Sequence, residues 1–307
     1  MAISPNVTII CQLQPNNSVH NTNEYVLKNL ICKKPVIIGN ECWIKPQSGM
    51  EGGFFAGRIM EYHISDFTEV SYRELLNLAQ SSSYSFITYD AYRRSGKNLL
   101  WRHDVDLSVH RARSLAQIED EAQVVATYFF NPHSEFYNLL EKEIFNLVQE
   151  IKEIGHPIGL HFDAGFYGVQ VEDYAYLEAC LREEKVWLEK LLHTSIGALS
   201  FHNPEVGNLL ALQQEEICGM VNSYSGYLHE NYGYCSDSNG YWRFRRLREV
   251  LETGQEPRLQ VLTHPGWWTP EPMSPRDRVS RCIDGRARKQ HDTYDLFLEG
   301  WGRNNVR

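Results

Sequence analysis

The chain has no run of about 20 consecutive apolar residues, so its sequence offers no candidate hydrophobic membrane span. It also has no surplus of basic residues. Thirty Lys and Arg stand against 39 Asp and Glu, a formal charge of -9, which excludes binding a polyanion such as nucleic acid through bulk electrostatics. Arg243, Arg245 and Arg246 make only a short local patch. There is no CxxC pair; the seven cysteines, odd in number and scattered, read as reduced thiols rather than as a zinc ribbon or a disulfide framework. The amino terminus, MAISPNVTIICQLQPNN, has neither a basic start nor an apolar stretch of secretory length, which predicts a cytoplasmic protein.

What is present is a regular alternation of short apolar runs and amphipathic stretches from Thr68 onward. VSYRELLNLAQ reads as a helix capped by Thr68, LLWRHDVD as a strand, SVHRARSLAQIEDEA as a helix and VVATYFF as a strand. FYNLLEKEIFNLVQEIKEIG continues as a long helix ended by Gly155, then PIGLHF as a strand and EDYAYLEACLREEKVWLEKLLH as a helix. ALSFH and RLQVLTH are further strands, and a terminal helix is expected through DTYDLFLEGW. Repeated βα units of this size imply an α/β fold with a parallel sheet and right-handed crossovers, open or closed into a barrel.

The first 60 residues differ. In PVIIGNECWIKPQSGM, Ile38, Ile44 and Met50 recur every six positions, with Val36, Cys42 and Ser48 two positions before each. A six-residue period suits a triangular coil with one hexapeptide on each face. The stretch from Asn6 to Met50 resembles a fragment of the hexapeptide-repeat sugar acetyltransferases, a resemblance that places that family's catalytic histidine near His20. Such coils need at least three stacked turns and this segment supplies about two, so it reads as a short β-rich remnant or docking piece. Gly49, Gly52, Gly53 and Gly57 then mark a connection to a second domain over 64–307.

The chemistry gathers where apolar strands end. LLWRHDVD, PIGLHFD, ALSFHNP and QVLTHPGWW place His103, Asp104 and Asp106, then His161 and Asp163, then His202, then His264 at downstream strand ends, where α/β folds build their active sites. Asp104 and Asp106, two apart on a strand, face the same side; one could bind a metal while the other takes a proton from water. His103 faces the other way and is expected to be structural. Trp267, just past His264, adds a flat aromatic face that could stack on a substrate ring.

The combination RHDVD followed by GHPIGLHFD resembles the polysaccharide deacetylases, the NodB-homology carbohydrate esterases of family 4 type, over about 68–269. The resemblance implies a distorted (β/α) barrel and a divalent metal, Zn²⁺ foremost, with Co²⁺ or Ni²⁺ as alternatives. By the same carry-over Asp104 is the general base, Asp106 a metal ligand, His161 the first histidine ligand and His264 the general acid that protonates the departing amine. YCSDSNGYWR takes the place of a substrate-lining motif, putting Asp237 and Trp242 near the sugar.

One departure is plain: the family's second histidine falls four residues after the first, where this chain has Gly165. His202 or Asp163 must replace it. Three His and Asp ligands suit Zn²⁺ with open positions, which favours His202 and leaves Asp163 to the substrate. A rival role for His202 is to orient Asp104.

The activity implied is hydrolysis of an N-acetyl group on a cytoplasmic sugar or glycan precursor of surface polysaccharide. Two alternatives stand beside it: a carbohydrate-binding protein without turnover, and hydrolysis of another amide such as a formamide or a cyclic amide. A homo-oligomer is compatible with the sequence.

Overall fold

The computed structural model describes residues 62–306, together with the backbone of two short strands nearer the amino terminus. Those two, β1 (Val36–Ile38) and β2 (Cys42–Ile44), pair antiparallel. The remaining expectations for 1–60, the hexapeptide coil, His20 and the glycine connection, lie outside the described residues. The chain divides into two units, Met1–Glu61 and Tyr62–Arg307, and the second holds the large sheet.

The elements of this second unit run α1 (Glu69–Ser81), β3 (Ser85–Ile87), β4 (Asn98–Val105), α2 (Val109–Glu121), β5 (Thr127–Phe130), α3 (Lys142–Ile154) and β6 (Ile158–Asp163). Then come α4 (Ala164–Tyr167), α5 (Tyr174–Leu192), β7 (Ala198–His202), β8 (Glu216–Ile217), β9 (Met220–Asn222) and α6 (Gly226–Asn231). The last are β10 (Gly233–Ser236), α7 (Leu247–Thr253), β11 (Arg258–Thr263) and α8 (Pro275–Gly300). The sheet order is β10-β11-β4-β5-β6-β7-β9-β8, with β3 also beside β4, and every pairing is parallel except β8 with β9.

Period-two alternation sorts the side chains. Leu99, Trp101, Tyr128, Phe130, Leu160 and Leu199 join the large core between sheet and helices, whereas Leu100, Phe129 and Ala198 form a smaller cluster on the inner side. The sheet is curled around that inner face. Gln260 Nε2 on β11 donates to Ser223 O just beyond β9 at 3.2 Å, and Arg102 on β4 also reaches the Ser223 hydroxyl. In a flat sheet β4 and β9 would lie four strand spacings, about 19 Å, apart. Among the described residues no pairing joins β9 to β10, so the barrel is open there. Gly159 on β6 makes room for its paired neighbour on β5: a Cβ on it would stand 2.4 Å from the Phe129 ring.

Local signals explain the helix ends. Thr68 Oγ1 accepts from Ser71 N at 3.1 Å to start α1, and Gly155, at φ 109°, ends α3 in the left-handed region. The expected helix over 136–155 begins only at Lys142. Tyr137 is committed elsewhere, its hydroxyl donating to Val105 O and accepting from Asn131 N, and Asn138 Oδ1 holds a turn through Leu140 N. Conversely α8 starts at Pro275, well before DTYDLFLEGW, capped by Ser274.

On the outer face of β4, His103 is fully buried and its Nε2 lies 2.6 Å from Glu119 Oε1 on α2. Glu119 also accepts from Tyr72 and from Tyr128, and Thr263 Oγ1 lies 2.8 Å from His103 Nδ1. Burial resists the charge on Glu119, but His103 outweighs it and the carboxyl is held below its usual range. His103 is thus structural, as its strand face implied. Glu119→Ala leaves an imidazole and two phenols without their common acceptor, and is expected to lower unfolding free energy by about 3–5 kcal/mol, read from urea denaturation.

Candidate active site

The inner face of β4 carries Arg102 and Asp104, and Asp106 comes just past its end. The strand register sets the rest. β6 and β7 pair His161 with Ser200 and Asp163 with His202, so the two histidines and the serine share the inner face beside the aspartates. β10 and β11 bring Asp237 and His264 to the same mouth.

Three of these atoms form a closed triangle. Asp106 Oδ1 is 3.1 Å from His161 Nε2 and 3.2 Å from His202 Nδ1, and the two nitrogens are 3.2 Å apart. Asp106 Oδ1 is buried and no donor is aimed at it in hydrogen-bond geometry. A tetrahedral ion with bonds of 2.0–2.1 Å spaces its ligands about 3.3 Å apart, so the edges fit one face of a Zn²⁺ tetrahedron. Two imidazoles and a carboxylate are also the donor types that Zn²⁺ and similar divalent ions take. Burial disfavours a charged Asp106, yet His161 and His202 hold it well below the usual carboxylate range. Burial likewise opposes charge on His202, and Asp106 outweighs it to push this imidazole up. The triangle is therefore a place that favours positive charge.

The tautomer of His161 suits that role. Ser200 Oγ donates to Asp104 Oδ1 at 3.2 Å, so its lone pair is left to accept from His161 Nδ1–H at 2.6 Å. Nε2 then presents its lone pair to the triangle. Asp104 is nearly fully buried, and on its other oxygen Arg102 Nη2 donates at 3.1 Å. Arg102 is itself held by the Ser223 hydroxyl and by Tyr224 Oη at 2.7 Å.

On the opposite side His264 Nδ1 meets Asp237 Oδ1 at 2.6 Å, and its Nε2 lies 3.8 Å from Asp106 Oδ2. Burial disfavours the imidazolium, but the Asp237 carboxylate outweighs it and the His264 pKa is pushed up to about 9. Both Asp237 oxygens also accept from the His264 backbone N–H, and Oδ2 from Trp268 Nε1 at 3.0 Å.

The structure thus brings together Asp104, Asp106, His161, His202 and His264, all lining a cavity of about 860 Å³. Trp267 lines it too, while Trp268 is core. Three placements differ from expectation. Asp237 is fully buried beneath His264 and is spent on hydrogen bonds, so it holds the imidazole rather than a substrate. Trp242 stacks on Phe67, donates to Asp66 Oδ2 at 3.1 Å and is absent from the cavity wall. Asp163 caps α4 through Gly165 N at 2.8 Å and is absent from the cavity wall where a substrate contact would need it. His202 contacts Asp106, and Arg102 is the residue that orients Asp104. Arg102, Ser200 and the support given by Asp237 were not read from the sequence. The signal for the first two was their place on the same strand faces as Asp104 and His202.

No protein-family model matches the chain, and no curated protein does. Among solved structures the chain is similar to a Streptococcus pyogenes deacetylase, PplD, in complex with acetate, at 13% identity and TM-score 0.36, covering 68% of this chain and 84% of that one. It is also similar to a family 4 carbohydrate esterase from Bacillus anthracis, at 17% identity and TM-score 0.35, covering 69% and 85%. A family 4 pseudoenzyme from Bacillus anthracis is similar at 12% identity and TM-score 0.35, covering 63% and 61%.

His202→Ala is expected to weaken Zn²⁺ binding on the order of 100-fold or more, while Asp163→Ala leaves it within about twofold. Chelator competition with the folded protein reads both; a His202→Ala affinity within about twofold of the unaltered protein would remove His202 from the ligand set.

Proposed function

We propose that the chain is a metal-dependent carbohydrate N-deacetylase, a hydrolase that removes an N-acetyl group from a sugar or glycan precursor in surface polysaccharide biosynthesis, with 64–307 as its catalytic domain. One observation carries this reading: the Asp106, His161 and His202 triangle lies between a buried carboxylate, Asp104, and an imidazole poised to be protonated, His264. A hydrolytic site for an amide needs a base on one side of the carbonyl carbon and an acid on the nitrogen side. The cavity wall adds Trp267, Tyr224, Tyr232 and Tyr234 among amide side chains of Asn203, Asn239 and Gln260. Apolar ring faces mixed with a few hydrogen-bonding groups suit a sugar.

Asp106, His161 and His202 would hold the ion, with Zn²⁺ the first candidate. When bound it supplies Lewis-acid polarisation and lowers the pKa of water from 15.7 toward about 7. Asp104 takes the proton of the attacking water, and Arg102 and Ser200 hold its carboxylate in place through hydrogen bonds to its two oxygens. His264 Nε2 gives a proton to the leaving nitrogen as the C–N bond breaks, and Asp237 stabilises the imidazolium beforehand. The products are acetate and the free amine.

Asp104→Asn is expected to cut acetate release from an N-acetylated sugar by about 10²–10⁴-fold while metal content stays unchanged. Retained turnover in that variant would sink the assignment of the base. The acid has its own signature: His264 is protonated below its raised pKa, so kcat/KM falls as pH climbs through about 9. In Asp237→Asn that alkaline limb moves down toward the ordinary histidine value of about 6.5, which a pH–rate profile reads.

A further inference from the structure

The segment YWRFRRLR carries four arginines, and three of them are neutralised by a carboxylate. Arg245 pairs with Glu256 at 2.7 Å, Arg246 with Asp66 at 2.7 Å and Arg248 with Glu74 at 2.6 Å. Arg243 is the exception. Among the described residues its guanidinium has no acidic partner, and it is this arginine that lines the cavity. Arg243 is exposed at the cavity mouth: its backbone N–H donates to Ser236 O at 3.3 Å, and its guanidinium lies 5.3 Å from the ring centre of Phe244. Phe244 is 68% exposed, a large ring left at the rim of the same cavity.

Position gives this cation a meaning. Ser236 directly precedes Asp237, which holds His264, so Arg243 stands on the side of the cavity where the leaving amine departs. The other charged groups of the wall are elsewhere or already matched. Asp104 is paired with Arg102, Asp106 belongs to the histidine triangle, Glu205 is exposed on the turn after β7, and His229 is exposed on α6. A chain of net charge -9 repels anions at long range, so drawing one to this mouth needs a local unpaired donor. A guanidinium offers its N–H groups as a fork that matches phosphate or carboxylate oxygens.

We propose that Arg243 forms an anion subsite at the rim, and that the natural substrate carries a phosphate or carboxylate on its amine-bearing sugar portion, held by the outward N–H groups of the Arg243 guanidinium. The identity of the remainder of the substrate rests on the deacetylase reading; the anion subsite does not. The test is calorimetric binding to the full chain and to Arg243→Gln, with N-acetylglucosamine, N-acetylglucosamine 1-phosphate, N-acetylmuramic acid and inorganic phosphate as probes. At least one anionic sugar is expected to bind about tenfold or more tightly than the neutral one, with the preference shrinking at high salt. The phosphorylated and carboxylated arms tell which group is read. Arg243→Gln should erase the preference and leave neutral-sugar binding unchanged, Arg243→Lys should keep part of it, and Arg245→Gln should keep all of it. Equal binding of neutral and anionic sugars, or a preference that survives Arg243→Gln, overturns the proposal. Anion-selective binding without any acetate release would leave the subsite standing and sink the deacetylase reading instead.

Discussion

A strand covered on both faces has no solvent with which to satisfy a charge, and β4 carries three such groups in succession, Arg102, His103 and Asp104, each at most 1% exposed. Their burial is possible only because period-two alternation gives each face its own partners. Inward, Arg102 and Asp104 neutralise one another and are tied to Ser223, Tyr224 and Ser200. Outward, His103 meets the Glu119 carboxylate between two tyrosines. A one-residue slip in β4 would exchange these environments and strand every charge, so the same residues that make the site also fix the register of the central strand.

This constraint organises the mouth of the barrel. Asp106 lies beyond the strand end, outside the Arg102 pair, and so is free to face His161 and His202 from the neighbouring strands. His264 arrives from the other flank of β4 with its own carboxylate beneath it. The result is an ordered sequence of charge across a few ångströms: a carboxylate held by arginine, a carboxylate among imidazoles, and an imidazole held by a carboxylate.

Much of this was legible in the chain because it is local. Apolar runs ending in His or Asp located β4, β6, β7 and β11, and the two-residue spacing of Asp104 and Asp106 put them on one face. Helix caps at Thr68 and Gly155 came from residue type. What was not legible depends on pairings across long separations. Asp237 reads as a substrate-lining residue, and only the β10–β11 register sets it beneath a histidine 27 residues away. Trp242 is claimed by Asp66, 176 residues earlier. Asp163 and His202 both stand as candidates in the sequence, which favours His202 by donor type alone; Asp163 is diverted because an aspartate two residues before a helical N–H caps it, and that local bond wins over a reach to the mouth.

The bridge through Ser200 has a directional consequence. A hydroxyl has one proton, and here that proton points to Asp104, which forces the histidine to be the giver on the other side. The two ends of the bridge therefore cannot change independently. Turning the hydroxyl away from Asp104 would also take its free lone pair away from His161, so one oxygen atom on β7 holds a carboxylate of β4 and an imidazole of β6 in a single joint arrangement.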